Sequence, residues 1–253
     1  MAETSKFDTL AADYAAARPT YPAAVLDGIE RLSGRSLAGS QVADIGAGTG
    51  IAARLLQERG ARVTAVELSA GMLKELAATS PGVASVRGSA NAVPLRDDSM
   101  DFITFAQAWH WVDPEVAVPE TLRVLRPGGA LACFWNNPVP TAAWRTGYHD
   151  RIRELLGRDP EYGNASSGPD QTSTLFLGPF ADRLEVRTAE VPWSRKITFE
   201  QRIANVRSRS YMSEVSPEQA REFLAGEHAF LAERFPDGFV EEEYSTWLGV
   251  VVV

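Results

Sequence analysis

The stretch Val42-Ala43-Asp44-Ile45-Gly46-Ala47-Gly48-Thr49-Gly50 constrains the fold more than any other part of the chain. A short apolar run leads straight into glycines at every second position, and an amphipathic segment opens at Ile51. Such a junction of strand, glycine turn and helix lets the backbone approach a ligand closely, with the first helical amides facing the same crevice. The spacing separates two kinds of ligand. A dinucleotide fingerprint needs a glycine three residues after Gly48, and Ile51 stands there. With no pyrophosphate to grip, the alternating Gly46, Gly48 and Gly50 better suit a nucleoside carrying an amino-acid tail. A turn with no ligand is the plainer alternative.

Short apolar runs alternate with amphipathic segments beyond this loop. Val42 to Ile45, Val63 to Glu67, Val83 to Val86, Phe102 to Ala106 and Ala130 to Trp135 read as strands. Helices are expected at Ile51 to Arg59 and at Ala70 to Ala78, the latter with Ser69 as N-cap. A further helix opens at Asp113-Pro114 and runs towards Arg126, stopping at Pro127-Gly128-Gly129, with Pro119 set to split or kink it. This alternation marks an α/β fold, a Rossmann-like, doubly wound and mostly parallel sheet.

The flanks read differently. Phe7, Leu10, Ala11 and Tyr14 fall at helical spacing, and Thr20-Tyr21-Pro22 starts a second helix, so residues 1–40 form a helical N-terminal cap. Residues 41–137 form the nucleoside-binding core, and 138–253 supply lid helices and the strands that complete the sheet. In that last part Asn164 to Pro169 reads as a loop, Leu184 to Val191 as a sixth strand, Pro217 to Phe235 as a charged helix and Tyr244 to Val250 as a last strand. Inserted helices over roughly 138–180 and 198–238 would cover the carboxyl edge of the sheet, where ligands of such folds bind.

Composition narrows the function classes. With 33 acidic against 25 basic residues and a net charge of -8, the chain lacks the clustered cations that hold nucleic-acid phosphates. Its longest purely apolar run, Val250 to Val253, is far below the roughly 20 residues of a membrane span. The first residues show neither a basic start nor an apolar stretch, so no secretory signal is read. The single Cys133 forms no internal disulfide and is expected in the core, in keeping with a cytoplasmic protein. His110, His149 and His228 lie far apart, and no metal-ligand spacing appears.

Glu67 closes the second strand 21 positions after Gly46, where an acidic side chain accepts both hydroxyls of a ribose. Taken with this residue and the glycine loop, Gly88 to Phe102 and Leu122 to Gly129 make the chain resemble the class I S-adenosylmethionine-dependent methyltransferases. Phe7-Asp8, Tyr14, Arg18-Pro19, Tyr21-Pro22, Ala106 to Trp111 and Ser208 to Tyr211 resemble the branch containing trans-aconitate methyltransferase and its small-molecule relatives. The resemblance covers most of residues 7–136 and scattered points after them. It implies S-adenosylmethionine as cofactor, S-adenosylhomocysteine as product and a small-molecule acceptor. Asp44 and the loop Gly46, Ala47, Gly48 and Gly50 would hold the methionine end, and Glu67 the ribose. Leu68, Ser89 and Ala90 would border the adenine, Gln107 would face the methyl-donor crevice, and Tyr14 and Arg18 would close over the cofactor. Many relatives carry an acidic residue after that alanine, whereas this chain has Asn91.

Methyl transfer from a sulfonium needs an aligned acceptor more than a covalent catalyst. An ionised carboxylate acceptor needs no base, whereas a phenol or an ammonium must first lose a proton. His110 is the candidate base, or else a wall of the pocket. Trp109 and Trp111 either face the sulfonium and the acceptor or pack as ordinary aromatics. Arg209 and Tyr211 could clamp an acceptor carboxylate, the alternative being that Arg209 is a solvated helix residue. Two other functions use the same features. One is a catalyst of the cyclase type, or a regulator, that binds S-adenosylmethionine without transferring its methyl group. The other is an NAD-dependent oxidoreductase, which Ile51 and the lack of a hydride-transfer residue set disfavour.

Overall fold

The computed structural model describes residues 18–139, 144, 145, 147–158 and 177–253. The helix expected around Phe7 to Tyr14 and the loop at Asn164 to Pro169 lie outside them. Seven strands form one sheet: β1 (Gln41–Ile45), β2 (Arg62–Glu67), β3 (Ala84–Arg87), β4 (Met100–Ala106), β5 (Leu125–Pro138), β6 (Arg187–Thr198) and β7 (Phe239–Val252). Their order is β3-β2-β1-β4-β5-β7-β6. The first five strands run parallel, and β7 pairs antiparallel with both β5 and β6.

Each central strand feeds two apolar layers because successive side chains point to opposite faces. Val42, Phe102, Ala130 and Ala132 face one layer, while Ala43, Ile103, Leu131 and Cys133 face the other. The first layer is covered by α1 (Ala23–Ser33) and α2 (Ile51–Glu58), and the second by α4 (Pro114–Val124). At Gly28 of α1 a Cβ would meet the Leu248 side chain at 2.8 Å, so a larger residue there would have to displace it for this helix to lie so close to β7. Burial pushes the Cys133 thiol well above its ordinary value, and it serves the core as expected.

Several boundaries differ from the sequence reading. Ser69 does cap α3 (Ala70–Thr79), accepting from the Met72 amide at 3.1 Å. Pro22 serves as the N-cap of α1 and lies just before its first turn. Pro119 is carried inside an unbroken α4, and that helix ends at Val124 rather than near Arg126. Its carbonyls give way to β5, which starts at Leu125; Met100 pairs with Leu125 and Phe102 with Ala130, so Pro127-Gly128-Gly129 forms a bulge within the strand. The sixth strand lies further on than Leu184 to Val191, because its partner β7 dictates the register from Arg187↔Val250 to Thr198↔Phe239. Among the described residues, three further helices follow: α5 (Tyr148–Leu156), α6 (Phe199–Arg207) and α7 (Pro217–Arg234). No helix among the described residues is long and apolar enough to cross a membrane.

Candidate active site

A cavity of about 310 Å³ opens at the carboxyl ends of the parallel strands. Its floor is the glycine turn. Gly46, Gly48 and Gly50 all adopt positive φ, at 68°, 56° and 82°, so the alternation seen in the sequence is a backbone requirement. At Gly46 a Cβ would strike Ala108 at 2.7 Å, whereas at Gly48 nothing stands within 4 Å. That open space faces the cavity. Gly50 starts α2 with no side-chain cap, and Ile51 and Ala52 line the cavity, so the helix end presents amide groups to any ligand there.

Glu67 stands at the end of β2 with both oxygens anchored. Oε2 accepts from the Gly48 amide at 2.9 Å and Oε1 from the Ser69 amide at 2.8 Å. Each oxygen keeps a further acceptor position. Leu68, 48% exposed, and Ser89, Ala90 and Asn91 border the same space. Gln107 follows β4 with φ at 57°, a left-handed conformation that costs a non-glycine residue on the order of 1–3 kcal/mol. It lines the cavity, and its Nε2 donates to the Asn136 carbonyl at 3.4 Å.

Asp44 lies beneath this floor rather than on it. It is fully buried, with Oδ1 accepting from Thr104 at 2.7 Å across the β1–β4 pair. Burial pushes its carboxyl up to about 7, against the opposing pull of the Thr104 hydrogen bond.

The opposite wall comes from distant parts of the chain. Arg18 lines the cavity and donates from Nη2 to the Ser208 carbonyl at 3.0 Å, tying the N-terminal side to the end of α6. Arg209 lines the same wall, with Asn136 of β5 and Tyr244 of β7. These last two come together because β7 is antiparallel to β5, which places Thr246 opposite Asn136 and Tyr244 opposite Pro138. Asn136 donates to the Thr20 carbonyl at 2.9 Å and accepts from Thr246 at 2.5 Å. Sequence reading missed both residues. Asn136 lies one position past the expected end of its strand, and only the alternation in Glu243-Tyr244-Ser245-Thr246-Trp247 hints that Tyr244 faces inward.

The aromatic run after β4 divides. Trp111 is on the cavity rim, 57% exposed, while Trp109 is buried in the core, edge-on to Phe105 at 4.6 Å. A tight 3-10 turn over Trp109–Trp111 sends neighbouring side chains in different directions, which removes Trp109 from the expected substrate wall. His110 lies outside the cavity lining. Its Nδ1 accepts from the Trp135 indole at 3.4 Å, and burial, then the charge of Arg18, push its pKa down to about 4. A neutral imidazole bonded in this way carries its proton on Nε2 and has no lone pair to offer an acceptor. Tyr211 is likewise away from the lining, buried with its hydroxyl 2.7 Å from that of Tyr148. Gly50 supports the turn from outside the lining, and Tyr14 lies outside the described residues.

A model of the methyltransferase domain matches residues 43–133, from β1 to β5. An uncharacterized methyltransferase of Mycobacterium tuberculosis is 37% identical over 215 residues, covering 85% of this chain and 80% of the relative. This chain belongs to the class I S-adenosylmethionine-dependent methyltransferases. A methyltransferase-like protein of Schizosaccharomyces pombe is 33% identical over 237 residues, covering 91% and 87% of the two chains. Demethylmenaquinone methyltransferase of Renibacterium salmoninarum is 31% identical over 163 residues, or 62% and 67%. The fold is similar to that of a protein from Anaeromyxobacter dehalogenans described as a type II methyltransferase, with a TM-score of 0.68, 19% identity and coverage of 93% and 96%. Membership of this enzyme family decides against the dinucleotide-dependent oxidoreductase.

Proposed function

We propose that this methyltransferase moves a methyl group from S-adenosylmethionine to a small-molecule acceptor that offers a carboxylate or another oxygen. The double anchoring of Glu67 beside the open Gly48 carries the cofactor part of the reading. A carboxylate fixed at both oxygens, with one acceptor position left on each, matches two neighbouring ribose hydroxyls. Gly46, Ala47 and Gly48 fit the amino-acid tail, with Arg18 across from them for its carboxylate. Leu68, Ser89 and Ala90 suit the adenine, and Gln107 the donor crevice. Asp44 acts from below by joining β1 to β4.

When bound, the cofactor supplies an electrophilic methyl carbon on a sulfonium. The chain then contributes alignment, which is worth about 7 to 11 kcal/mol when two reactants are held in line. Arg209 on the far wall favours an anionic oxygen acceptor. The resemblance to the trans-aconitate branch points the same way. A carboxylate acceptor is ionised at neutral pH, which agrees with a His110 that has no free lone pair.

Calorimetric titration tests the cofactor: S-adenosylmethionine and S-adenosylhomocysteine bind and NAD does not. Failure of both sulfur compounds to bind overturns the reading. Mass spectrometry of a turned-over metabolite mixture then shows a product heavier by one methyl group and release of S-adenosylhomocysteine. Cofactor consumption without an added methyl group would instead establish the non-methylating alternative.

A further inference from the structure

Charge in the cavity is unbalanced for the cofactor proposed above. Among the described residues three charged side chains line it, Arg18, Glu67 and Arg209, two cations against one carboxylate. Both oxygens of that carboxylate already accept backbone amides, from Gly48 and Ser69. A sulfonium brings a further positive charge to the same space. It has no N–H or O–H to donate, so a neutral oxygen dipole turned towards it is what the wall can offer.

Three carboxamides line the cavity among the described residues: Asn91, Gln107 and Asn136. The Asn136 amide is used at both ends, by the Thr20 carbonyl and the Thr246 hydroxyl. Nearby Tyr244 turns its hydroxyl behind the wall, donating at 2.9 Å to Glu242, a buried carboxylate that also accepts from Arg195 and Arg202. Asn91 is exposed beside Ser89 and Ala90, at the border proposed for the adenine. Gln107 differs from both. Its Nε2 faces the Asn136 carbonyl, which can only accept, so Oε1 is the end of the amide left over. That oxygen has no hydrogen-bond partner among the described residues and, unlike Thr49 Oγ1, is not sealed from solvent.

Backbone geometry fixes where this amide stands. The Gln107 N–H donates to the Phe134 carbonyl at 3.0 Å, extending the β4–β5 pairing by one residue. The left-handed φ then turns the chain so that Ala108 packs against Gly46, where a Cβ would come within 2.7 Å of its side chain. Gln107 therefore adjoins the turn proposed to hold the amino-acid tail. Glycine would take that φ without strain, so a glutamine held there by its neighbours points to a use for the side chain.

We infer that Gln107 Oε1 reads the charge of the methyl donor, binding the sulfonium form of the cofactor in preference to the neutral thioether. This rests on the cofactor part of the proposed function. When the methyl group passes to the acceptor, the electron pair of its bond stays on sulfur, and the attraction to Oε1 lapses with the charge. The residue thus favours entry of fresh cofactor and exit of the spent one.

Calorimetric titration of the full-length protein tests this with S-adenosylmethionine, S-adenosylhomocysteine and sinefungin, which carries an ammonium-bearing carbon in place of the methylsulfonium. Gln107→Met keeps the length of the side chain and loses the oxygen. In that variant S-adenosylmethionine binds about 5-fold and sinefungin about tenfold more weakly, while S-adenosylhomocysteine changes less than about twofold. Gln107→Glu moves the other way, and its preference for the two cationic compounds over S-adenosylhomocysteine exceeds that of the wild type. Should Gln107→Met not fold, Gln107→Gly removes the same oxygen and relaxes the left-handed backbone; it shows the same selective loss with a melting temperature no lower than that of the wild type. Parallel weakening of all three compounds, as a merely structural wall would give, or an unaltered preference in any of these variants, overturns the inference. Failure of the wild type to bind S-adenosylmethionine and S-adenosylhomocysteine counts against the cofactor reading instead.

Discussion

The two walls of the cavity are built on opposite principles. The wall made by β1, β2 and the glycine turn lines the cavity with backbone amides and one glutamate, all within a stretch of 24 residues from Gly46 to Ser69. The wall made by β5, β7 and the end of α6 uses charged and phenolic side chains that are far apart in sequence: Arg18, Asn136, Arg209 and Tyr244. Behind the first wall lie continuous apolar layers, while behind the second a buried Arg–Glu cluster takes the place of aliphatic packing. A backbone-built wall suits a ligand that never changes. A wall of side chains can be re-specified by substitution while the sheet stays the same.

Substitutions should separate the two walls by size and kind of effect. The largest is expected behind the acceptor wall. Glu242→Ala leaves Arg145, Arg195 and Arg202 without their shared counter-charge and should destabilise the fold by about 3–5 kcal/mol in urea unfolding. A loss below about 1 kcal/mol would mean that the arginines find water or other partners, and the contrast between the walls would shrink.

Asp44→Asn probes the floor of the cofactor wall. The wild-type carboxyl holds its proton in the fold up to about pH 7 but loses it near 3.8 when unfolded, so wild-type stability drops as pH rises through that window. The asparagine does not titrate. Between pH 4 and pH 8 the variant should therefore gain roughly 2–4 kcal/mol on the wild type, measured by denaturant unfolding at each pH. Parallel pH profiles would show that Asp44 is already ionised in the fold.

Glu67→Ala should weaken S-adenosylhomocysteine binding by about 1–3 kcal/mol. Unaltered cofactor affinity would remove Glu67 from the ribose. The smallest effect is expected at His110. With its pKa near 4 and Nδ1 held by Trp135, His110→Ala should lower turnover less than about tenfold, short of the 10² to 10⁴ expected for loss of a general base. Because the folded pKa lies below the usual 6.5, this histidine stabilises the fold above pH 6.5 and that contribution fades as pH falls towards 4. A pH–rate profile that loses a step near neutrality in the variant would restore the catalytic role.

The sequence exposed the first wall because its parts are local. Three glycines with positive φ, an N-cap at Ser69 and an acidic strand end are each readable within a few residues, and backbone geometry forces their spacing. Trp109, His110 and Trp111 show the limit of local reading. Identical in promise as a run, they were divided by one 3-10 turn into a core residue, a histidine bonded to Trp135 and a rim residue. Nothing in the run itself says which ring the sheet will cover.

What the sequence determined alone was the alternating α/β pattern and the glycine turn, because strand period, glycine conformation and helix caps are short-range properties; the family was legible only as a resemblance carried by those motifs. The tertiary structure decided the acceptor side. Only the antiparallel insertion of β7 between β5 and β6 brings Tyr244 and Glu242 to the arginines and sets Asn136 in the cavity, and pairing across more than a hundred residues leaves no local mark in the chain.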